Sequence, residues 1–250
     1  MRNLIALFIL FVSAHNSYAQ YNETRSISQH NEISVATGIQ VEYIKSNKNN
    51  VTIECENKLH LKLVVTEVSN GKLTIKYKSN SNIRARKPTR VTVYSNYSLE
   101  KAQVSSSGHL TLKDPINATS FELDASSAGK IVTNIIKANT IDIDASSSGS
   151  IEGTINAKNV ELEAANSAKI TLAGVASNID IDMRSSAKID LSKTKIDALA
   201  LDGSSSAQLT INTAISLDSN LSSSAKIYYT KIPNNIIENK TSSGGRMVQK

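Results

Sequence analysis

The chain of 250 residues has one cysteine, three prolines, three phenylalanines and no tryptophan. A single thiol excludes an intramolecular disulfide and any cysteine-based metal cluster. Cys55 sits in the alternating stretch Val51-Thr52-Ile53-Glu54-Cys55, which reads as a strand with the thiol buried. Few prolines leave long stretches free to pair in sheets. With so little aromatic volume, the core must be built from aliphatic side chains. No apolar run beyond residue 20 is long enough to cross a bilayer as a helix. No phosphate-binding loop, nucleophile elbow or spaced set of metal ligands occurs. Serine runs without an adjacent base do not read as nucleophiles. The four histidines are scattered; His30, His60 and His109 fall in different contexts.

The first nineteen residues read as a secretory signal peptide. Arg2 supplies the positive start, Leu4 to Val12 the apolar run, and Ser17-Tyr18-Ala19 a small-x-small cleavage signal. No cysteine comes directly after it, so a bacterial lipid anchor is not expected. The reading places the protein outside the cytoplasm: in the periplasm, on the outer-membrane surface or secreted. A secreted chain without disulfides suits a bacterial envelope. The formal net charge is +6, and losing Arg2 would leave +5. The main basic run, Arg84 to Arg90, contains Pro88 and lies between two strand patterns. It reads as a solvated loop, with a polyanion-binding patch as the alternative. No nucleic-acid partner is expected.

Residues 20–32 are polar and irregular and read as a flexible lead-in. Alternation begins at Ile33. Ile39 to Ile44, Val51 to Cys55, Leu59 to Val65, Leu73 to Tyr77 and Val91 to Tyr94 all read as strands, with Asn70-Gly71 as a hairpin turn. No helix is expected after the leader. Residues 33–98 are expected to form a β-strand region packed on the C-terminal part of the chain.

From Leu99 onward a short phrase recurs. It runs Ser105 to Gly108, Ser126 to Gly129, Ser146 to Gly149, Asn166 to Ala168, Ser185 to Ala187, Ser204 to Ala207, Ser222 to Ala225 and Ser242 to Gly245. Taking the last small residue as anchor, the steps are 21, 20, 19, 19, 20, 18 and 20 residues. A period near twenty marks a solenoid. Two residues after each anchor an apolar side chain recurs in all eight units, from Leu110 through Ile131 to Met247. Eight residues before the anchor the middle six units carry Phe121, Ile141, Val160, Ile179, Leu199 and Leu217. No single unit buries these residues, but a stack does. The fold expected is all-β: a right-handed parallel β-helix of about eight coils over residues 99–250, roughly 38 Å long at the strand spacing of about 4.8 Å. The small anchors suit a tight corner, and stacked serine hydroxyls can bond one another there.

The order of segments carries a resemblance. Gly38-Ile39-Gln40-Val41 enters a strand, Gly71 to Ile75 forms a hairpin arm, and Arg90 to Tyr94 comes next; Leu99 to Gly108 then opens the repeats. This resembles the head GIN domain family, a group of autotransporter adhesins common in Bacteroidetes. The resemblance spans about Ile33 to Gly245. It implies a right-handed β-helix with β-rich N-terminal strands, exported to the envelope, and it brings no catalytic motif. No translocator barrel is legible in this chain.

Aligning the corners sorts the carboxylates into two columns. Seven residues before the anchor stand Glu122, Asp142, Glu161, Asp180 and Asp218, interrupted by Ala200. Five before it stand Asp124, Asp144, Glu163, Asp182 and Asp202, then Asn220. Alternation with apolar residues points both columns outward. Like charges stacked about 5 Å apart repel by about 1 kcal/mol per pair in water. Two things would offset this: lysines such as Lys130, Lys169, Lys188 and Lys226, or Ca²⁺ held by carboxylate oxygens. The same columns are the candidate ligand face for an extended glycan or a surface protein. Glycosidase chemistry needs one distinctive carboxylate pair in a cleft, whereas these recur as a repeat property. The reading is therefore a non-enzymatic adhesin, binding or scaffold module. The alternatives are a carbohydrate-active enzyme on a β-helix and a purely structural envelope module. Tyr94, Tyr97, Tyr228 and Tyr229 flank the repeats as cap aromatics or contact points.

Overall fold

The computed structural model describes residues 21–250, and the expected signal peptide lies outside them. From Lys101 on, every strand pairing is parallel and lays one coil on the next. The eight corners of the repeat delimit seven full turns of a β-solenoid. The strand Ser150–Ala164 shows one coil in full. Ile151, Ile155, Ala157, Val160, Leu162 and Ala164 point inward and are buried; Glu152, Asn156, Lys158, Glu161 and Glu163 point out. The alternation is what a half-buried strand requires. The alternation breaks at Gly153-Thr154 and at Lys158-Asn159.

Stacking turns the repeat into columns. Phe121, Ile141, Val160, Ile179, Leu199 and Leu217 are register partners in sequence. So are Leu110, Ile131, Ile151, Ile170, Ile189, Leu209 and Ile227, each essentially sealed from solvent. Burying one such side chain contributes about 1.5–3 kcal/mol. Among the described residues Thr133, Thr194 and Ser219 are buried polar positions of the coils, and the Thr194 hydroxyl donates to Leu172 C=O at 3.0 Å. The Ser219 hydroxyl donates to Asn239 Oδ1 at 3.0 Å.

The corners differ from the sequence reading in detail. The two residues before the anchor are left-handed, as at Ser147 (φ 48°) and Ser148 (φ 63°). The anchor's N–H then closes a turn, Gly149 to Ser146 C=O at 2.8 Å. The strain therefore falls on the serines, and the anchor is small for another reason. A Cβ on Gly149 would stand 2.0 Å from the Ala125 carbonyl oxygen of the preceding coil. Main-chain bonds tie the corners together: the N–H of Ser107 donates to Ser127 C=O, Ala128 to Ser147, and Ser148 to Asn166, each at 3.0 Å. The strand ladder thus continues through the corner without help from hydroxyls.

The N-terminal third joins the same stack out of order. Glu32–Val35 and Gln40–Lys45 form a coil whose corner, Thr37 and Gly38, is also left-handed. It lies in parallel between Lys101–Val104 and His109–Leu112 on one side and Lys72–Tyr77 and Arg90–Ser95 on the other. Beyond that, pairing turns antiparallel. Asn50–Cys55 lies on Arg90–Ser95, Tyr21–Ser26 on Asn50–Cys55, and Val64–Ser69 hairpins onto Lys72–Tyr77 through Asn70-Gly71. These strands cap one end of the solenoid.

Two segments depart from the sequence reading. Tyr21–Ser26, within the expected lead-in, is a strand, because Asn50–Cys55 offers it a full edge. Lys58–Leu63, expected to begin a strand, is a short helix. Asn57 caps it by accepting the Leu59 N–H at 2.8 Å. Only Leu61 of the helix is buried, while Leu59 is 67% exposed. Apolar alternation misleads here because a single helical turn needs only one anchor.

Candidate functional site

Each carboxylate of the two sequence columns falls in register. Glu122, Asp142, Glu161 and Asp180 succeed one another on adjacent strands, then Ala200, then Asp218. Asp124, Asp144, Glu163, Asp182 and Asp202 do the same, succeeded by Asn220. Inward Leu123, Ile143, Leu162, Ile181 and Leu201 separate the columns and hold both on one face. Glu122 and Asp124 are half-buried; the other eight are exposed.

Charge compensation reaches only some of these carboxylates. At the capped end Lys72 pairs with Glu32 at 3.3 Å, and Lys101 pairs with Glu122. Gln103 donates to Asp124 at 3.4 Å. Further along, Arg184 meets Asp182 at 3.2 Å and Asn220 donates to Asp202 at 3.0 Å. Among the described residues, Asp142, Asp144, Glu161, Glu163, Asp180 and Asp218 have no salt bridge or side-chain hydrogen bond. Lys130, Lys169, Lys188 and Lys226 form no salt bridge with them. Lys130, Ser150, Lys169, Lys188, Gln208, Lys226 and Arg246 form a column on the next face, past the corner. Lys130 there pairs with Glu152 of its own face at 3.6 Å.

The electrostatic consequence is visible at two carboxyls. Partial burial pushes Asp144 up, and the charges of Glu163, Asp142, Asp124 and Glu122 push it further. Burial also raises Asp124; Lys101 opposes that rise and Glu122 adds to it.

The columns run past the residues singled out from sequence. Glu238 succeeds Asp218, and Lys240 succeeds Asn220. Counting back seven residues from Gly245 reaches Glu238, so the signal was present. The register shifts by one residue after Leu217, which pairs with Ile236, and Ile237 is left exposed. Where Ala200 interrupts the ladder, a depression of about 380 Å³ opens between Glu161, Asp180 and Asp218, with Ala198, Ala200 and Leu199 in its floor. Among the described residues, no three His, Cys, Asp or Glu side chains converge to hold a metal ion. The ladder presents one carboxylate per strand per column, which suits a line of contacts better than a coordination sphere.

The remaining candidates have structural surroundings. His30 is buried; Nδ1–H donates to Ser28 C=O at 3.0 Å, so Nε2 accepts from the Tyr43 hydroxyl at 3.2 Å. Burial pulls its pKa down. Tyr97 packs edge-on against it at 5.4 Å. Beside them is a cavity of about 90 Å³ whose carboxylate, Asp114, accepts the Lys45 N–H at 2.7 Å. His60 lies in the short helix, and His109 stands in the lysine column beside Lys130. Tyr94 and Tyr228 lie under Lys48 and Lys250 at 5.6 and 4.2 Å.

Comparison places this architecture among known proteins. No curated protein matches the sequence. A structure from Parabacteroides distasonis, named "putative lipid binding protein", is 20% identical over 92% of this chain and 96% of its own, with a TM-score of 0.74. A "putative adhesin" from Parabacteroides merdae is 16% identical over 92% and 96%, TM-score 0.70. Another from Bacteroides fragilis is 15% identical over 94% and 98%, TM-score 0.65. At these identities the likeness is one of fold. The sequence profile described as "Putative auto-transporter adhesin, head GIN domain" matches residues 29–154 and again 122–233. The chain therefore belongs to the head GIN domain family.

Proposed function

We propose that this protein is an exported, non-enzymatic adhesin-type module of the bacterial envelope, and that it holds an extended partner along the acidic ladder. One observation carries the reading: six carboxylates of the ladder stand in register, exposed and without a salt bridge or side-chain hydrogen bond. A row of like charges costs stability, and a flat row at strand spacing offers many weak contacts to a partner that repeats along its length. An extended glycan with hydroxyl or amino groups fits, as does a basic segment of a surface protein. The expected export from residues 1–19, the family's adhesin name and the like-named "putative adhesin" structures support this reading. The name of the Parabacteroides distasonis protein keeps lipid in view as a ligand class for this fold.

Two features favour binding over glycan cleavage. The carboxylates near the Ala200 depression belong to the repeat, and the cavity beside Tyr43 holds one carboxylate, already engaged by a main-chain N–H. The test is a glycan and matrix-protein array, with and without Ca²⁺, comparing the wild type with Asp142→Asn/Asp144→Asn/Glu161→Gln/Glu163→Gln. Binding that the neutralised ladder loses supports the proposal. Binding that survives neutralisation, or no binding to any array member, refutes the ladder as the face. Release of sugar fragments refutes the non-enzymatic reading.

A further inference from the structure

Charge is segregated along the solenoid. Residues 56–90 contain nine Lys or Arg and two acids, an excess of +7 in a chain whose total is +6. These residues build much of the capped end, while the acidic ladder occupies the coils beyond it. Part of this charge lies at the short helix Lys58–Leu63 and at the loop bonded to it. Lys78 N–H donates to the carbonyl of Leu63 at 2.9 Å. The main-chain N–H groups of Arg86 and Lys87 both donate to the Glu56 carboxylate, at 3.0 and 2.9 Å. The loop after Lys72–Tyr77 is thus tied to both ends of the helix. Lys58, Lys62, Lys78, Arg84 and Arg86 are all exposed there. In their midst Leu59 turns away from the core, with 67% of its surface exposed.

We infer that this capped end is a docking surface for a membrane bearing anionic phosphate head groups. Clustered Lys and Arg draw a protein to such a surface, and an exposed leucine among them enters the head-group layer. A soluble polyanion explains the charge but gives the leucine no role. The arrangement also sets polarity. The basic end faces the membrane, and the ladder, repelled by the same charge, points away from it. This inference does not depend on what the ladder binds.

Flotation of the protein with neutral phosphatidylcholine vesicles and with vesicles holding about 30% phosphatidylglycerol tests it. Binding is expected only to the anionic vesicles, and is lost near 0.5 M salt, where charges are screened within about 5 Å. Lys58→Glu/Lys62→Glu/Arg84→Glu is expected to lower the bound fraction about tenfold or more. Lys169→Glu/Lys188→Glu/Lys226→Glu makes the same change in net charge on the solenoid side and is expected to leave binding near the wild-type level. Leu59→Ser, which removes no core contact, is expected to weaken binding severalfold. Circular dichroism confirms that each variant is folded. The inference fails if anionic vesicles are not bound, if neutral vesicles bind equally, if both charge-reversed triples lose binding alike, or if Leu59→Ser binds as the wild type does.

Discussion

Asp144 and Glu163 are register partners on neighbouring coils, side by side in the acidic column that runs from Asp124 to Asp202. Burial first, and then the Glu163 charge, raises the Asp144 pKa. A carboxyl whose folded pKa is raised binds more protons folded than unfolded. Stability then falls as pH rises from the ordinary aspartate range through the raised value. Asp144→Asn is expected to stabilise the protein at pH 7 by about 0.5 kcal/mol at low salt, because the pair is exposed and screened. The gain should vanish near pH 3. Urea denaturation of both proteins at the two pH values checks this, and an equal gain at both would rule out the charge explanation.

Gly149 and Gly38 are both corner glycines, yet they should respond differently to substitution. A side chain at Gly149 collides with the Ala125 carbonyl at 2.0 Å. Gly149→Val is expected to cost about 3 kcal/mol or more, or to prevent folding. Gly38 has φ +70° and open space around its Cβ position. Gly38→Ala should cost only the left-handed backbone penalty, about 1–2 kcal/mol. Denaturation midpoints of the two variants give the comparison.

Asn57 holds the start of the helix that the sequence does not announce. Removing its side-chain acceptor in Asn57→Ala is expected to cost about 1 kcal/mol. Amide exchange within residues 58–63 should accelerate, while protection in Ser150–Ala164 stays unchanged. Equal loosening of both segments would mean that the cap is not local.

Cys55 is buried, and burial pushes its thiol up, although Thr89 Oγ1 lies 3.3 Å away and opposes the rise. A thiol reagent at pH 8 should therefore leave the native protein almost untouched and titrate one thiol once urea unfolds it. Rapid reaction in the native state would place the thiol at the surface.

Much of this protein is written in its repeat. The corner phrase fixes the register, and a period of twenty with alternating apolar residues can bury its core only by stacking. That logic places Phe121, Ile141 and Val160 in one column and Glu122, Asp142 and Glu161 in another before any coordinate is known. Local alternation could not show that residues 32–45 lie between 72–95 and 101–112, because parallel stacking depends on which distant edge is free. Nor could it show that Tyr21–Ser26 becomes a strand, since only the edge of Asn50–Cys55 makes one of it. The ladder's chemistry divides in the same way. Sequence set which carboxylates align. Tertiary structure alone decided that the lysines meant to balance them stand past the corner, on another face. It also tied the basic loop after Lys72–Tyr77 to the short helix that carries Leu59 at the capped end. A corner that turns the chain carries neighbouring side chains to different faces, and the sequence does not state its angle.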